Sequence, residues 1–220
     1  MNKFVGGLET MFEVFMFVNP IGTCCYQTEQ TIMKTMKEAD AITRYHLIPL
    51  ANMKTIQSDL IRKHKCPTNL ETYNHASEET FAALKDYHAI KMAYGNKIAR
   101  KYCLAVQHNI NDLNKEYNTG LFKNLIQELG LSIPKIQSAR MSTYLNESIA
   151  ADERLAQKWH INDTPTTVIF NDEDENSGLI VEGHLLHDEL LQIINGNESP
   201  DFNELSASLI RLHSSNLRLL

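Results

Sequence analysis

No long run of positive charge occurs in this chain of 220 residues, whose formal net charge is −6. Nucleic acid and anionic membrane surfaces, which attract basic patches, are therefore poor partners for it. Long apolar runs are missing too. The apolar stretch nearest the N-terminus is broken by Glu9 and Glu13, has only Lys3 as a basic flank and shows no small-residue cleavage site. Neither a signal peptide nor a transmembrane helix is expected. Cysteine is scarce: Cys24, Cys25, Cys66 and Cys103. Two adjacent and two isolated cysteines form neither a disulfide framework nor a zinc ribbon. With no export signal, the expectation is a cytoplasmic protein with reduced thiols. A Gly-rich phosphate loop and a Gly-x-Ser-x-Gly elbow are absent. The acidic run Asp172-Glu173-Asp174-Glu175 lacks the spacing and the bidentate glutamate of a calcium loop, so it reads as a solvated hairpin tip. His184-x-x-His187 has no third ligand nearby, and zinc needs three or four. No metal and no cofactor are expected.

What is present is enough for a well-packed core. Hydrophobic residues make up 43% of the chain and charged residues 22%, which excludes global disorder. The length suits one large domain, or a small one with a substantial insert. Val14-Phe15-Met16-Phe17-Val18 reads as a buried strand over 12–18, ended by Asn19-Pro20. A helix follows from near Cys25 to Glu38, with Ile32, Met33 and Met36 at helical spacing. Residues 42–50 read as a second strand, and Pro49 argues for a strand end or a sheet edge.

From about 52 to 150 the chain is nearly all helix-forming. Ser77 and Thr80, with Glu78 and Glu79 in a first turn, predict a helix start carrying Phe81, Leu84, Tyr87, His88 and Met92. Gly95-Asn96 breaks it before a helix over 97–115. A short helix over 121–129 is stopped by Gly130; another, over 134–142, opens with Pro134. Residues 146–159 form the last of this series. Strands then return at 166–170 and 179–181, joined by the acidic hairpin. A helix over 188–194, closed by Asn195-Gly196, and an amphipathic tail helix over 201–220 complete the chain. Met11, Met16, Met33, Met36, Met53, Met92 and Met141 fall mostly on apolar positions, which favours core packing.

A β-α-β half, about a hundred helical residues and a β-β-α half together resemble a thioredoxin fold with an all-helical insertion. The implied division is 1–51 with 146–220 for the thioredoxin-like unit and 52–145 for the insertion. The junction is Asp163-Thr164-Pro165-Thr166, which resembles the element that opens the strand facing the redox motif with a cis proline bond. Phe15-Met16-Phe17-Val18-Asn19-Pro20, and the stretch from about Ala151 through Thr164-Pro165 to Gly178-Leu179-Ile180-Val181-Glu182-Gly183, resemble the DsbA family. Within it they resemble the YjbH/SpxH adaptors of low-GC Gram-positive bacteria. That resemblance implies binding of the redox regulator Spx and its presentation to the ClpXP protease.

The redox motif itself is degenerate. Where such folds carry Cys-x-x-Cys, this chain reads Gly22-Thr23-Cys24-Cys25. Thiol chemistry needs a thiolate at the helix N-terminus, where the backbone N–H groups and macrodipole lower its pKa, and a resolving cysteine three residues on. Gly22 removes the first; Cys25 stands in the resolving place, and Cys24 is an extra thiol. A vicinal Cys24–Cys25 pair, a lone sensing thiol and a vestigial loop whose thiols only pack remain as readings, the last favoured. Cys66 and Cys103 read as structural. The favoured function is a protein-binding adaptor, with Gly22, Thr23, Thr164 and Pro165 lining the binding groove. The alternative is a DsbA-like thiol–disulfide oxidoreductase or isomerase using Cys24 or Cys25. A glutathione-binding enzyme, supported only by Thr23, is a third.

Overall fold

The computed structural model describes residues 11–171, 178–195 and 217–219. Its first strand is β1 (Met11–Val18), interior to the sheet, whose side chains alternate between two apolar layers. Phe12, Val14, Met16 and Val18 enter one buried cluster, while Phe15 and Phe17 belong to a second on the opposite face. This period-2 division is what a strand inside a two-sided sheet requires. β2 (Ile42–Pro49) runs parallel to β1 at the sheet edge, and Pro49 is its last residue. On the other side, β3 (Thr166–Asn171) pairs antiparallel with β1, and β4 (Gly178–Glu182) with β3. The sheet order is β2-β1-β3-β4-β5. The final strand, β5 (Leu217–Leu219), pairs with β4. These three residues were expected in a tail helix; they are extended instead. The rest of that expected helix, Gly196 and residues 172–177 of the acidic hairpin lie outside the described residues.

Helix α1 (Thr23–Glu38) follows β1, and α2 (Met53–Arg62), α3 (Leu70–Tyr94), α4 (Asn96–Asn111), α5 (Thr119–Glu128), α6 (Ile133–Arg140) and α7 (Tyr144–Lys158) separate β2 from β3. α8 (His187–Asn195) follows β4. The fold is thus a thioredoxin-like α/β sheet carrying a helical insertion. The larger cluster joins Ile32 and Met36 of α1 to Tyr87 and Ile90 of α3, Tyr102 and Val106 of α4, Leu125 of α5 and Ile193 of α8. The smaller one is covered by the end of α7 and by Trp159, whose ring meets Phe15 and Phe17 edge-on at 4.9 and 5.8 Å.

Local punctuation fixes most helix ends. Gly95, at φ 84°, separates α3 from α4, and Gly130, at φ 66°, follows α5. Both are left-handed positions that suit glycine. The Asn52 side chain and Thr55 form a reciprocal capping box on α2. The expected start at Ser77 is wrong. α3 begins two turns earlier, where the Asn69 side chain accepts from Thr72 N at 2.9 Å. The methionine expectation holds for Met16 and Met36 but not for Met53 and Met141, which are 66% and 88% exposed.

Phe17 is fully buried between the sheet and Trp159, and Trp159 is the chain's only tryptophan. Phe17→Ala should cost about 3–5 kcal/mol through lost burial and the cavity left behind. Urea unfolding followed by Trp159 fluorescence checks this; a midpoint unchanged from the parent protein would refute it.

Candidate functional site

The loop between β1 and α1 is built by Asn19. Its side-chain Oδ1 accepts from Ile21 N and its carbonyl accepts from Gly22 N, each at 3.0 Å. This tight turn brings Gly22 to the N-cap of α1, so the helix starts at Thr23 rather than near Cys25. Cys25 lies beneath the turn, 1% exposed, and its sulfur accepts from Asn19 N at 3.2 Å. Burial drives its thiol pKa far above the ordinary range; the Asn19 N–H opposes this, while the Glu29 and Asp59 charges push the same way as burial. Cys24 is half-buried, and both are free thiols.

The Thr164–Pro165 bond is cis, as the family resemblance implies. The Thr164 side chain acts to lower the Cys25 thiol pKa, and its hydroxyl is buried without a hydrogen-bond partner among the described residues. Gly22, Cys25 and Thr164 therefore converge. Thr23 is held elsewhere: its hydroxyl donates to Asn111 Oδ1 on α4 at 2.7 Å. Beside it, Tyr26 donates to Asp112 Oδ2 at 2.9 Å.

The sequence places α2 in a region expected to be helical, but gives neither its bounds nor its role at the site. One face of this helix presents Ser58, Asp59, Arg62 and Lys63, spaced so that they share a side, and all four reach the two site loops. Asp59 Oδ1 accepts from Thr23 N at 3.3 Å, at the first turn of α1. Lys63 Nζ lies 2.6 Å from Asp59 Oδ2 and donates to Ile21 O at 3.1 Å. Arg62 donates to the Thr164 carbonyl, and Ser58 donates to Asp163 Oδ2 at 2.8 Å. Asp163 Oδ1 in turn accepts from Thr164 N at 2.7 Å. A carboxylate thus sits where a helix N-terminus would stabilise a thiolate. Both backbone polar groups of Thr164 are engaged within the chain. These partners are 36 to 105 residues distant from α2, and no local pattern announces them.

A second polar layer lies below. Glu29 is 1% exposed, and its Oε1 accepts from Gln107 Nε2 at 2.9 Å. Burial pushes its carboxyl pKa up to about 8, opposed by Gln107 and the Arg100 charge. Glu29 Oε2, Gln107 Oε1 and Asn19 Nδ2 have no hydrogen-bond partner among the described residues. Cys103 is buried nearby, as expected of a packing residue; Cys66 is not, because it is exposed, with its pKa lowered by hydrogen bonds from Thr68 and Asn69. His184 and His187 do not face each other as a metal pair. They meet two hydroxyls of α1, Thr28 at 3.0 Å and Thr35 at 2.7 Å. No group of three or more metal-binding side chains forms among the described residues.

A cis-proline loop facing the start of the first sheet helix, across a sheet with a helical insertion, defines the thioredoxin class of α/β proteins. The family described as thioredoxin matches residues 15–191; the chain belongs to that family. Among solved structures it is similar to a candidate protein disulfide isomerase from Nitrosomonas europaea, at 15% identity and a TM-score of 0.59, covering 84% of this chain and 97% of that one. It is similar to alpha-DsbA1 of Wolbachia pipientis at 13% identity and TM-score 0.59, covering 93% and 95%. A thioredoxin-like oxidoreductase from Silicibacter pomeroyi matches at 15% and 0.56, covering 86% and 88%. At these identities the likeness is one of fold, here a DsbA-like one.

Two outcomes follow. A Cβ added at Gly22 would stand 3.1 Å from Cys25 Sγ and 3.0 Å from Asn19 Cβ. Across a disulfide, a Cβ and the far sulfur are about 3 Å apart. Gly22→Cys should therefore close onto Cys25 under mild oxidation, with Asn19 moving by a few tenths of an ångström; mass spectrometry after alkylation would show two thiols protected. Full alkylation of every thiol would contradict the geometry. The second concerns Glu29. Its unfolded form loses the proton near pH 4.5 and its folded form only near 8. Stability should accordingly be unaffected by this group below about pH 4.5 and fall as pH rises between the two values. Glu29→Gln should flatten that fall and gain on the order of a few kcal/mol at pH 8, measured by urea unfolding against pH.

Proposed function

We propose that this chain is a protein-binding adaptor of the YjbH/SpxH type, acting in the cytoplasm and presenting an Spx-like regulator to the ClpXP protease. One observation carries the non-catalytic part. At the α1 N-terminus, the anion is the Asp59 carboxylate bonded to Thr23 N, while Gly22 offers no thiol and Cys25 is sealed with a raised pKa. Attack on a disulfide needs an accessible thiolate; neither Gly22 nor Cys25 supplies one, which leaves Cys24, a partly exposed free thiol, as the remaining candidate for the oxidoreductase reading. No described helix is long and apolar enough to cross a membrane.

Partner binding by strand addition at the cis-proline loop draws no support from the geometry. The Thr164 N–H and C=O that an added strand would use are committed to Asp163 and Arg62. The outer faces of the helical insertion are the better surface for a folded partner. The glutathione alternative also loses its basis, since the Thr23 hydroxyl is spent on Asn111.

The oxidoreductase reading is favoured by one fact: solved structures of this fold include proteins described as a disulfide isomerase and as oxidoreductases. Two assays separate the readings. Calorimetry with a purified Spx-type regulator under reducing conditions should show binding unaffected by Cys24→Ser with Cys25→Ser. The regulator's degradation by purified ClpXP should accelerate when this protein is added. Absence of binding at tens of micromolar (about −6 kcal/mol) removes the adaptor reading. Insulin reduction should stay at background; turnover that disappears in Cys25→Ser would establish the enzyme instead.

A further inference from the structure

Helix α4 joins the candidate site to a second cavity. Its C-terminal turn meets the redox loop through Asn111 and Asp112. Its N-terminal turn lies at the other end of a helix of 16 residues, about 24 Å away, and there it borders a separate cavity of about 450 Å³ against the edge strand β2. Apolar groups form part of its wall, among them Leu47, Ile48 and Leu155. Three cations, Lys91, Lys97 and Arg100, line it against one carboxylate, Asp152. That is a local excess of positive charge on a chain whose net charge is −6.

The cations are not equivalent. Lys91 is taken up by Asp152, 3.1 Å away. Arg100 is held with its guanidinium 5.3 Å above the Tyr45 ring, and no carboxylate pairs with it among the described residues. The buried Glu29 feels the Arg100 charge but stays protonated at neutral pH, so it leaves that charge uncompensated. Lys97 is exposed and has no ion pair among the described residues. The first turn of α4 adds to this. Gly95 caps it without a side chain. Ala99 N finds Gly95 O at 3.2 Å, while the N–H groups of Asn96, Lys97 and Ile98 have no acceptor among the described residues. Asn96 and Lys97 both line the cavity.

We propose that this cavity is a binding site for a small phosphomonoester with an apolar body. Its phosphate is received by Arg100, Lys97 and the free amides of the α4 first turn, and its body rests against Tyr45 and the apolar wall. Guanidinium, ammonium and free helix N–H groups together match a phosphate's charge and its several acceptor oxygens. The volume exceeds what inorganic phosphate fills and falls within the range of about 300–1,000 Å³ typical of small-molecule pockets. The site does not depend on Cys24 or Cys25, and its test is independent of the adaptor reading.

The experiment is a titration of the full chain with phenyl phosphate, inorganic phosphate and phenol at low salt, followed by calorimetry and by amide chemical shifts. Phenyl phosphate should bind at least about tenfold more tightly than either probe. Its largest shifts should fall on Asn96, Lys97 and Ile98, and its affinity should drop with added salt. Lys97→Ala with Arg100→Ala should weaken it at least tenfold. If that double variant does not fold, Lys97→Ala alone should weaken it about threefold, since Lys97 is a surface residue. Equal affinity for phenyl phosphate and inorganic phosphate would overturn the proposal. So would shifts spread over unrelated surface lysines, or affinity unchanged by Lys97→Ala.

Discussion

The start of α1 favours negative charge, because the first turn of any helix presents unpaired N–H groups and the positive end of its dipole. Thiol oxidoreductase chemistry exploits this preference by placing a thiolate there. In this protein the preference is met by Asp59, reaching from α2 to Thr23 N. Once the carboxylate is there, the rest of the site is constrained. Asp59 is itself largely buried and requires a cation, which Lys63 supplies from one helical turn on. Lys63 also ties down Ile21 O, fixing the turn that holds Gly22. The same face of α2 places Arg62 on the Thr164 carbonyl and Ser58 on Asp163. Both loops of the degenerate motif are thus held by one helix.

Beneath that charged cover, the polar groups are kept neutral. Cys25, with its raised pKa, holds its proton, and Glu29 holds its own up to about pH 8. Each is buried without a cation in contact, and burial without a partner penalises the charged form. An exposed Asp59 in the same position would gain little from Lys63, since surface ion pairs are weak. Burial makes the pair consequential, and loss of either partner would leave a charge with no compensation. The distribution is consistent: ions on the α2 surface of the site, neutral hydrogen-bonding groups below, apolar core further in.

How much of this the sequence revealed follows from how local each cause is. β1 was legible because its apolar run reflects two buried faces, and β2 because Pro49 marks its end. The cis Thr164–Pro165 bond was legible through the resemblance of Asp163-Thr164-Pro165-Thr166 to the strand-opening element of thioredoxin-like folds. Gly95, Gly130 and Pro134 act on their own backbone. The start of α3 was not legible from apolar periodicity, because its first two turns carry polar residues; the signal was a cap, Asn69 to Thr72. The tail fails for another reason. Apolar residues in 201–220 suggested a helix, yet Leu217–Leu219 are extended because β4 offers an unpaired edge. Pairing with that edge outweighs propensity. The α2 clamp was the largest omission. Ser58, Asp59, Arg62 and Lys63 look like an ordinary solvated helix face, and only the fold shows that the face is covered.

Loss of the nucleophile and retention of the fold are compatible because they draw on different residues. The two apolar clusters that stabilise the sheet contain neither Gly22 nor Cys24. Val14, Phe17, Ile169 and Ile180 would pack the same way above a working Cys-x-x-Cys or a degenerate one. Positions 22 and 24 are therefore free to change without cost to the core, although Ile21 and Cys25 of the same loop are part of it; this is the general reason that function is carried by sites and not by folds. Structures sharing this fold at 13–15% identity share the core constraint. They do not share Asp59 at the helix start by necessity. In this chain that carboxylate, with Lys63 and Arg62 behind it, makes the site a closed, ion-paired surface patch. A thiol restored at Gly22 would face Cys25, yet Asp59 would still occupy the N–H donor at Thr23, so recovering the geometry of a disulfide is not the same as recovering the electrostatics of a reactive thiolate.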